Sequence, residues 1–212
     1  KDILEQLEVP VPQTWEQLIE VLPTIQGNSL QVGLPYPNIQ VPDMSTFYAM
    51  VYQNDGSIYN DKGTKTLLDS EAGIDAFKTY SSFFNSYGLP QIYDFVSRFR
   101  SGEMPIGIAA YSTYNTLQVS APEIRGLWDF TLIPGTEYTN PDGTTYIDRQ
   151  DFITGSATMM ITTEDETLKQ NSWEFMKWWV SAETQLRFGR EQEAILGSSA
   201  RYPTANTEAL KQ

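Results

Sequence analysis

The sequence predicts an α/β fold, because short apolar segments typical of strands alternate with longer segments of helical periodicity. Hydrophobic residues make up 40% and aromatic residues 13% of the 212 residues, which is enough for a folded core. Three helix starts carry a capping hydroxyl, at Thr14, Ser70 and Ser181. The length allows one large domain or two small ones.

The first fifty residues are predicted to contain three helices and a strand. Residues 1–5 read as helix, and a capping box at Thr14 begins a second helix. Pro23 is predicted to end that helix. Residues 30–37 read as a short strand that enters a Pro-rich loop, and residues 46–52 as a further helix.

The Asn- and Asp-rich turns within residues 54–63 have two interpretations, a calcium loop and a β-hairpin. A calcium loop requires a ladder of alternating ligands and a terminal bidentate Glu, and the spacing lacks both. We therefore favour a hairpin whose second strand lies at residues 64–68.

The middle of the chain is predicted to contain two helices followed by a strand. Ser70 begins a helix whose apolar residues recur every three or four positions, and Gly88 ends it. A second helix holds residues 95–99. Residues 104–109 form a compact apolar strand, which then turns into a short helix.

The C-terminal part of the chain is predicted to add two strands and two helices. Residues 128–133 alternate apolar and polar like a strand, and residues 135–150 form a polar connector. Ser156–Thr162 reads as a second buried strand, residues 164–180 as the following helix, and Ser181 as the cap of the last long helix.

The helix within residues 164–180 is the most aromatic part of the chain. It contains Trp173, Phe175, Trp178 and Trp179, and Phe188 follows in the next helix. These side chains cover too much of the circumference for a surface helix with a single apolar stripe. The pattern predicts a core helix that is buried on most sides.

The composition excludes several classes of function. The chain has no cysteine and no histidine, which excludes thiol and Ser-His-Asp catalysis and also Cys- or His-ligated metals. The formal net charge of −13 argues against nucleic acid or an anionic membrane as a partner. No apolar run approaches the roughly 18 residues of a membrane span, and the helical start predicts no signal peptide. We predict no cofactor and no metal, and hydrolysis by paired carboxylates stays open.

Four motifs occur in a fixed order. Residues 12–18 resemble the motif P-x-T-W-E-E-L, and residues 59–72 resemble a hairpin followed by a helix entry. Residues 99–108 resemble F-x-x-G-x-x-A-M, and residues 173–185 resemble W-E-F-L-K-W-x-T-S-x-E-x-Q. In this order the chain resembles, over nearly its whole length, the bacterial extracellular solute-binding proteins of family 1, the maltodextrin-binding-like sugar receptors of ABC importers.

The resemblance implies a periplasmic-binding-protein-like fold of type II with two lobes, present here as a fragment. Residues 1–134 and 183–212 would form the C-terminal lobe, and residues 135–182 a connector plus a returning segment of the N-terminal lobe. The returning strand at residues 156–162 would lack its usual neighbours. We therefore expect it to join the second-lobe sheet, to pair with another molecule or to be poorly ordered.

The resemblance also implies candidate ligand-binding residues, namely Tyr36, Tyr111, Tyr114, Arg201 and Trp128. Aromatic faces stack on pyranose rings, and polar side chains bond to their hydroxyls. Arg201 lies in an irregular tail and could bind a hydroxyl pair or a carboxylate. Each aromatic residue has a packing alternative, and Trp128 as a strand residue is better explained as core.

The function implied by the resemblance is binding of a carbohydrate, expected to be an oligosaccharide, by the extracellular component of an ABC importer, without catalysis. Its partners would be the sugar and the permease subunits. The protein would be located either on the surface of a Gram-positive cell or in the periplasm. On a cell surface it would be held by an N-terminal lipid anchor that this chain lacks. The fragment alone is expected to bind sugar weakly or not at all. The alternatives are a protein-interaction module and an acidic glycoside hydrolase domain.

Overall fold

The computed structural model describes residues 1–37, 43–153 and 155–212. The chain divides into two compact units: unit 1 comprises Lys1–Ala110 and Glu123–Ile153, and unit 2 comprises Tyr111–Pro122 and Thr154–Gln212. Within the described residues, no helix has the length and hydropathy needed to cross a membrane. The units divide the chain differently from the predicted lobes, and the assignment of each segment to a lobe stays a prediction.

Unit 1 is built on helices whose starts follow the predicted caps. Its helices are α1 (Asp2–Gln6), α2 (Trp15–Gly27), α3 (Ser45–Gln53), α4 (Glu71–Asn85) and α5 (Phe95–Arg100). The Thr14 hydroxyl accepts a hydrogen bond from the Gln17 N–H at 3.2 Å, and the Ser70 hydroxyl accepts one from the Gly73 N–H at 3.3 Å. Both predicted caps are confirmed, since each satisfies an N–H that has no partner within the helix.

The predicted end of α2 at Pro23 is wrong, because the helix continues to Gly27. A proline inside a helix costs about 3 kcal/mol, since it removes one hydrogen bond and crowds the preceding turn. Leu22 and Ile25 on either side of it are fully buried. Burying each of these side chains contributes about 1.5–3 kcal/mol, and their burial outweighs the cost of the proline.

Strands are shorter and fewer than the sequence pattern predicts. β1 (Val32–Gly33) pairs in parallel with β2 (Ile106–Gly107), so each predicted strand is reduced to two residues. The predicted hairpin at residues 54–68 is reduced to one bridge between Tyr59 and Thr66. The Asn60 side chain organises its turn, because Oδ1 accepts a hydrogen bond from the Thr64 N–H at 2.9 Å.

The predicted strand at residues 128–133 is wrong, because this segment is irregular. The apolar side chains of Phe130 and Leu132 are largely exposed. Alternation of apolar and polar residues stabilises a strand only where one face packs against a core. That condition is not met at these two positions.

The predicted polar connector at residues 135–150 folds as a hairpin. β3 (Thr136–Thr139) pairs antiparallel with β4 (Thr145–Asp148). In the turn, the Asn140 N–H donates to the Thr144 carbonyl at 2.8 Å, and Gly143 adopts a φ of +85°. The Asn-Pro-Asp-Gly turn between two segments rich in Thr and Tyr was the signal that could have identified this hairpin.

The core of unit 1 lies among α2, α3 and α4. Trp15 packs edge-on against the fully buried Phe83, with ring centroids 6.2 Å apart, and Phe47 packs against Tyr80 at 6.1 Å. This aromatic packing holds α4 against the other two helices.

The polar side chain of Gln53 is fully buried in unit 1. Its Oε1 accepts a hydrogen bond from Trp15 Nε1 at 2.7 Å, and its Nε2 donates to the carbonyls of Pro134 at 3.2 Å and Gln150 at 2.9 Å. The Tyr138 hydroxyl donates to the Gln53 carbonyl at 2.5 Å. Gln53 therefore ties α2 and α3 to both ends of the β3–β4 hairpin.

Unit 2 contains α6 (Ser112–Ser120), α7 (Glu166–Trp179), α8 (Ala182–Leu196) and α9 (Thr207–Leu210), with a 3₁₀ turn at Ser198–Ala200. The Ser181 hydroxyl accepts a hydrogen bond from the Thr184 N–H at 3.3 Å, which confirms the predicted cap of α8. Asp165 caps α7 by accepting from the backbone N–H groups of Thr167 and Leu168.

The prediction that α7 is buried on most sides is wrong for this chain. Trp173 is 50% exposed and Trp178 is 55% exposed, and Phe175 is exposed to a similar degree. Trp179 is the better covered tryptophan, because it packs edge-on against Phe188 of α8 with ring centroids 5.1 Å apart. The sequence pattern indicates how much of the α7 surface is apolar. In this structure α8 packs against one side of that surface, and the rest is exposed to solvent.

The predicted buried strand at residues 156–162 is also wrong, since residues 155–163 are irregular. Met159 and Ile161 are almost fully exposed. A strand needs the backbone groups of a neighbour to complete its hydrogen bonds, and the segment forms no ladder in this structure. Pairing with another molecule stays a prediction.

Candidate functional site

The start of α6 in unit 2 presents two tyrosines side by side. Tyr111 and Tyr114 are three residues apart, so the helical turn places both side chains on one face. Their rings are nearly parallel, at an interplanar angle of 9° with centroids 6.5 Å apart. Tyr111 is 66% exposed. The pair forms an aromatic surface that solvent and ligands can reach.

Arg201 in unit 2 is paired with Glu193. It directly follows the 3₁₀ turn, and both its Nε and its Nη2 lie 3.0 Å from Oε1 of Glu193 near the end of α8. The hydrogen bond from Arg201 to Glu193, with the attraction of that carboxylate, raises the pKa of the guanidinium. The 3₁₀ turn Ser198–Ala200, which directly precedes Arg201, packs against α6, whose first turn carries Tyr114.

The segment that carries Arg201 is tied to the helices of unit 2. Tyr202 packs edge-on against Phe188, with ring centroids 5.0 Å apart. The Thr204 hydroxyl donates to Oε1 of the buried Gln185 at 2.9 Å, and Asn206 Nδ2 donates to the Val180 carbonyl at 2.8 Å. These contacts hold the predicted irregular tail against the corner between α7 and α8.

Three predicted site residues, Tyr111, Tyr114 and Arg201, therefore lie together in unit 2. Sequence reasoning missed Glu193, because its partner is eight residues away along the chain. A Glu near the end of a helix followed by a glycine, a short turn and an Arg is too common a pattern to identify the pair.

Tyr36, another predicted site residue, lies in unit 1. It is half-buried and packs edge-on against Phe84 with ring centroids 4.6 Å apart. The Tyr80 hydroxyl donates to the Pro35 carbonyl at 2.6 Å, which fixes the loop before Tyr36. Nearby, burial and the charge of Asp43 raise the pKa of Tyr93 to about 12. Packing thus holds Tyr36, and its role in ligand binding stays a prediction.

Trp128, the fifth predicted residue, lines a cavity in unit 1. The ring packs edge-on against Phe99 with centroids 6.1 Å apart, and the residue is half-buried outside any strand. The cavity has a volume of about 210 Å³, and Arg100 in its wall forms an ion pair with Glu123. The contact with Phe99 agrees with a packing role for Trp128. A role in ligand binding stays a prediction.

The titration of the carboxyl groups bears on the hydrolase alternative. Hydrogen bonds from Ser97 lower the pKa of Asp94, and those from Thr144 lower the pKa of Asp142. A general acid needs a raised pKa, so both shifts go in the wrong direction for that role. Within the described ranges, no group of three acidic side chains is placed to hold a metal ion.

Comparison with known proteins gives one family and a group of solved structures. The family described as bacterial extracellular solute-binding protein matches residues 1–205. Among curated proteins, none matches the sequence significantly.

Three solved structures illustrate the similarity of fold. The sugar-binding protein MalE from Xanthomonas citri has a TM-score of 0.60 at 16% identity, and the alignment covers 100% of this chain and 54% of that one. Maltose-bound MalE3 of T. maritima has a TM-score of 0.57 at 18% identity, with 100% and 52% coverage. An ABC transporter solute-binding protein of Thermotoga lettingae, bound with α-D-tagatose, has a TM-score of 0.59 at 16% identity, with 90% and 48% coverage. This chain thus spans about half the length of the structures it matches, and the α/β, periplasmic-binding-protein-like fold is confirmed.

Proposed function

We propose that this chain, which belongs to the bacterial extracellular solute-binding protein family, is part of the carbohydrate-binding component of an ABC importer. The observation that carries the proposal is the parallel pair of Tyr111 and Tyr114 on α6, which packs against the turn that leads into Arg201. Solved proteins of the same fold are described as binding maltose and α-D-tagatose. The chain would bind its ligand without transforming it.

The chemistry of the three residues suits a sugar ring. The apolar face of a pyranose stacks on an aromatic ring, and its hydroxyls bond to the charged and polar groups around it. The tyrosine hydroxyls can donate and accept, whereas the Arg201 guanidinium only donates. The ligand-binding roles of Tyr36 and Trp128, both in unit 1, are part of the same proposal.

The lobes of the complete receptor are assigned as the resemblance implies. Residues 1–134 and 183–212 belong to the C-terminal lobe, and residues 135–182 form the connector and a returning segment of the N-terminal lobe. Closure of the two lobes on the ligand would create the surface that the permease subunits bind. The receptor would act outside the cell, either lipid-anchored on a Gram-positive surface or in the periplasm.

Binding of a neutral oligosaccharide tests this function. Maltose, maltotriose and chitobiose are each added at millimolar concentration to residues 1–212, and binding is followed by saturation-transfer NMR. We expect saturation transfer to at least one of them, with a Kd weaker than micromolar, because the chain spans half the length of its structural neighbours. Because residues 1–212 alone are expected to bind weakly or not at all, the measurement is repeated after addition of a separately produced N-terminal lobe of a family member. The absence of transfer to all three sugars in both preparations would contradict the proposed function.

The exposed apolar side of α7 is proposed to be covered by the remaining part of the two-lobed fold. Trp178→Ala is then expected to lower the free energy of unfolding of residues 1–212 by only about 1 kcal/mol, because the side chain is already more than half exposed. Urea denaturation followed by circular dichroism measures the change. A loss of about 3–5 kcal/mol, typical of a fully buried aromatic residue, would mean that α7 is already covered in this chain.

A protein-interaction module is a second candidate, and the same apolar face of α7 favours it. In that case the half-exposed Trp173 and Trp178 would bind another protein. Sedimentation of residues 1–212 mixed with a separately produced N-terminal lobe of a family member distinguishes the two. A complex supports the two-lobed receptor, whereas association of this chain only with itself supports the module.

A further inference from the structure

We propose that the site formed by Tyr111, Tyr114 and Arg201 selects uncharged carbohydrates over uronic acids, and that Glu193 determines this selectivity. The inference rests on the proposed function and adds to it the chemical class of the ligand. Arg201 taken alone suits either a hydroxyl pair or a carboxylate. The ion pair of Arg201 with Glu193 favours a hydroxyl pair over a carboxylate as the ligand group.

The Arg201–Glu193 pair already occupies one of the edges of the guanidinium that offer two parallel N–H groups to a ligand carboxylate. Nε and Nη2 form one side of the planar fork, and both point to Oε1 of Glu193 at 3.0 Å. Bidentate binding of a carboxylate is strongest with two parallel N–H groups of this kind. A uronate would have to displace Glu193 or bind through the remaining N–H groups, whereas a sugar hydroxyl can accept from one of those N–H groups alone.

Charge acts in the same direction as geometry. The Arg201 and Glu193 side chains together carry no net charge, so the site has no excess positive charge for an anion. The whole chain has a net charge of −13, which repels anionic ligands at longer range. A neutral sugar is affected neither by the missing positive charge at the site nor by the negative charge of the whole chain.

The pair can also be reached by a ligand, because the Arg201 side chain is 56% exposed and that of Glu193 is 35% exposed. Screening by solvent keeps the contribution of such a pair modest. We therefore expect a preference for the neutral ligand of about fivefold, the ratio that corresponds to one exposed ion pair.

The test compares the wild type with Glu193→Gln and with a matched control, Glu191→Gln. Glu191 lies on the same helix and pairs with Arg187 at 2.7 Å, so its substitution changes the net charge by the same amount. The probes are maltose and the uronate in which the 6′-hydroxymethyl group of maltose is oxidised to a carboxylate. Saturation-transfer titrations give the ratio of the two Kd values for each protein.

In the wild type, we expect the Kd for the uronate to be about fivefold higher than that for maltose. Glu193→Gln is expected to abolish or reverse this preference, while Glu191→Gln leaves it unchanged. Equal binding of the two probes by the wild type, or equal effects of the two substitutions, would overturn the assignment to Glu193 and leave the proposed function standing. If the wild type binds neither maltose nor any other neutral oligosaccharide of the panel, either alone or with an added N-terminal lobe of a family member, the proposed function fails, and this inference fails with it.

Discussion

Replacement of Gln53 with leucine is expected to lower the free energy of unfolding by about 3–5 kcal/mol, because it leaves two buried polar groups and one partly buried carbonyl without partners. These are the Trp15 indole N–H and the carbonyls of Pro134 and Gln150, all of which bond to the Gln53 side chain. Each unsatisfied buried group costs about 1–3 kcal/mol, and leucine offers neither donor nor acceptor. Urea denaturation followed by circular dichroism measures the loss.

Gln26→Leu is the matched control for this prediction. Gln26 lies on α2 and makes one exposed hydrogen bond, from its Nε2 to the Tyr87 carbonyl. Its replacement is expected to cost less than about 1 kcal/mol, because water can satisfy the carbonyl that it leaves. If Gln53→Leu costs no more than Gln26→Leu, the hydrogen bonds of Gln53 contribute nothing beyond those of a surface side chain.

Gln53→Leu is also expected to change hydrogen exchange locally, at the start of the β3–β4 hairpin. The Gly135 N–H donates to the Gln13 carbonyl at 2.9 Å, next to the Pro134 carbonyl that Gln53 holds. Hydrogen exchange at Gly135 is expected to accelerate in Gln53→Leu more than exchange in the centre of α4. Uniform acceleration would indicate general destabilisation instead of release of the hairpin.

Helix starts could be predicted from the sequence because their determinants are local. The Ser181 hydroxyl bonds to an N–H only three residues away, so the pattern contains the whole interaction. The role of Gln53 could not be predicted, since its partners lie 38, 81 and 97 residues away. The failed strand at residues 128–133 has the same cause, because a strand depends on a neighbour that the local pattern does not specify.

The aromatic residues of α7 illustrate a second limit of sequence patterns. Their spacing indicates an apolar surface, but it does not indicate which chain segment covers that surface. Trp179 meets Phe188 within unit 2, whereas Trp173 and Trp178 stay about half exposed. In the candidate site, the spacing of Tyr111 and Tyr114 predicts a shared helix face, whereas the Arg201–Glu193 pair depends on how the tail folds back.

Tyr111→Ala and Tyr114→Ala are each expected to weaken binding of the neutral oligosaccharide about tenfold. Loss of one aromatic platform removes its stacking contact and the area that it buries, which together amount to about 1.4 kcal/mol, or a factor of ten in Kd. The double substitution removes both rings of the pair, and saturation transfer is expected to fall below detection. Tyr111→Phe keeps the ring, so it separates stacking from hydrogen bonding by the hydroxyl.

Tyr146→Ala is the control that makes this last prediction specific. Tyr146 stacks on Tyr138 with ring centroids 5.5 Å apart and is about half exposed, so it is a second stacked and accessible tyrosine pair in the chain. Tyr146 is not among the proposed ligand-binding residues, so its loss is expected to leave the Kd unchanged. An equal loss of affinity in Tyr146→Ala would mean that any exposed tyrosine pair binds the sugar weakly. Only a loss confined to Tyr111 and Tyr114 supports a carbohydrate site at the start of α6.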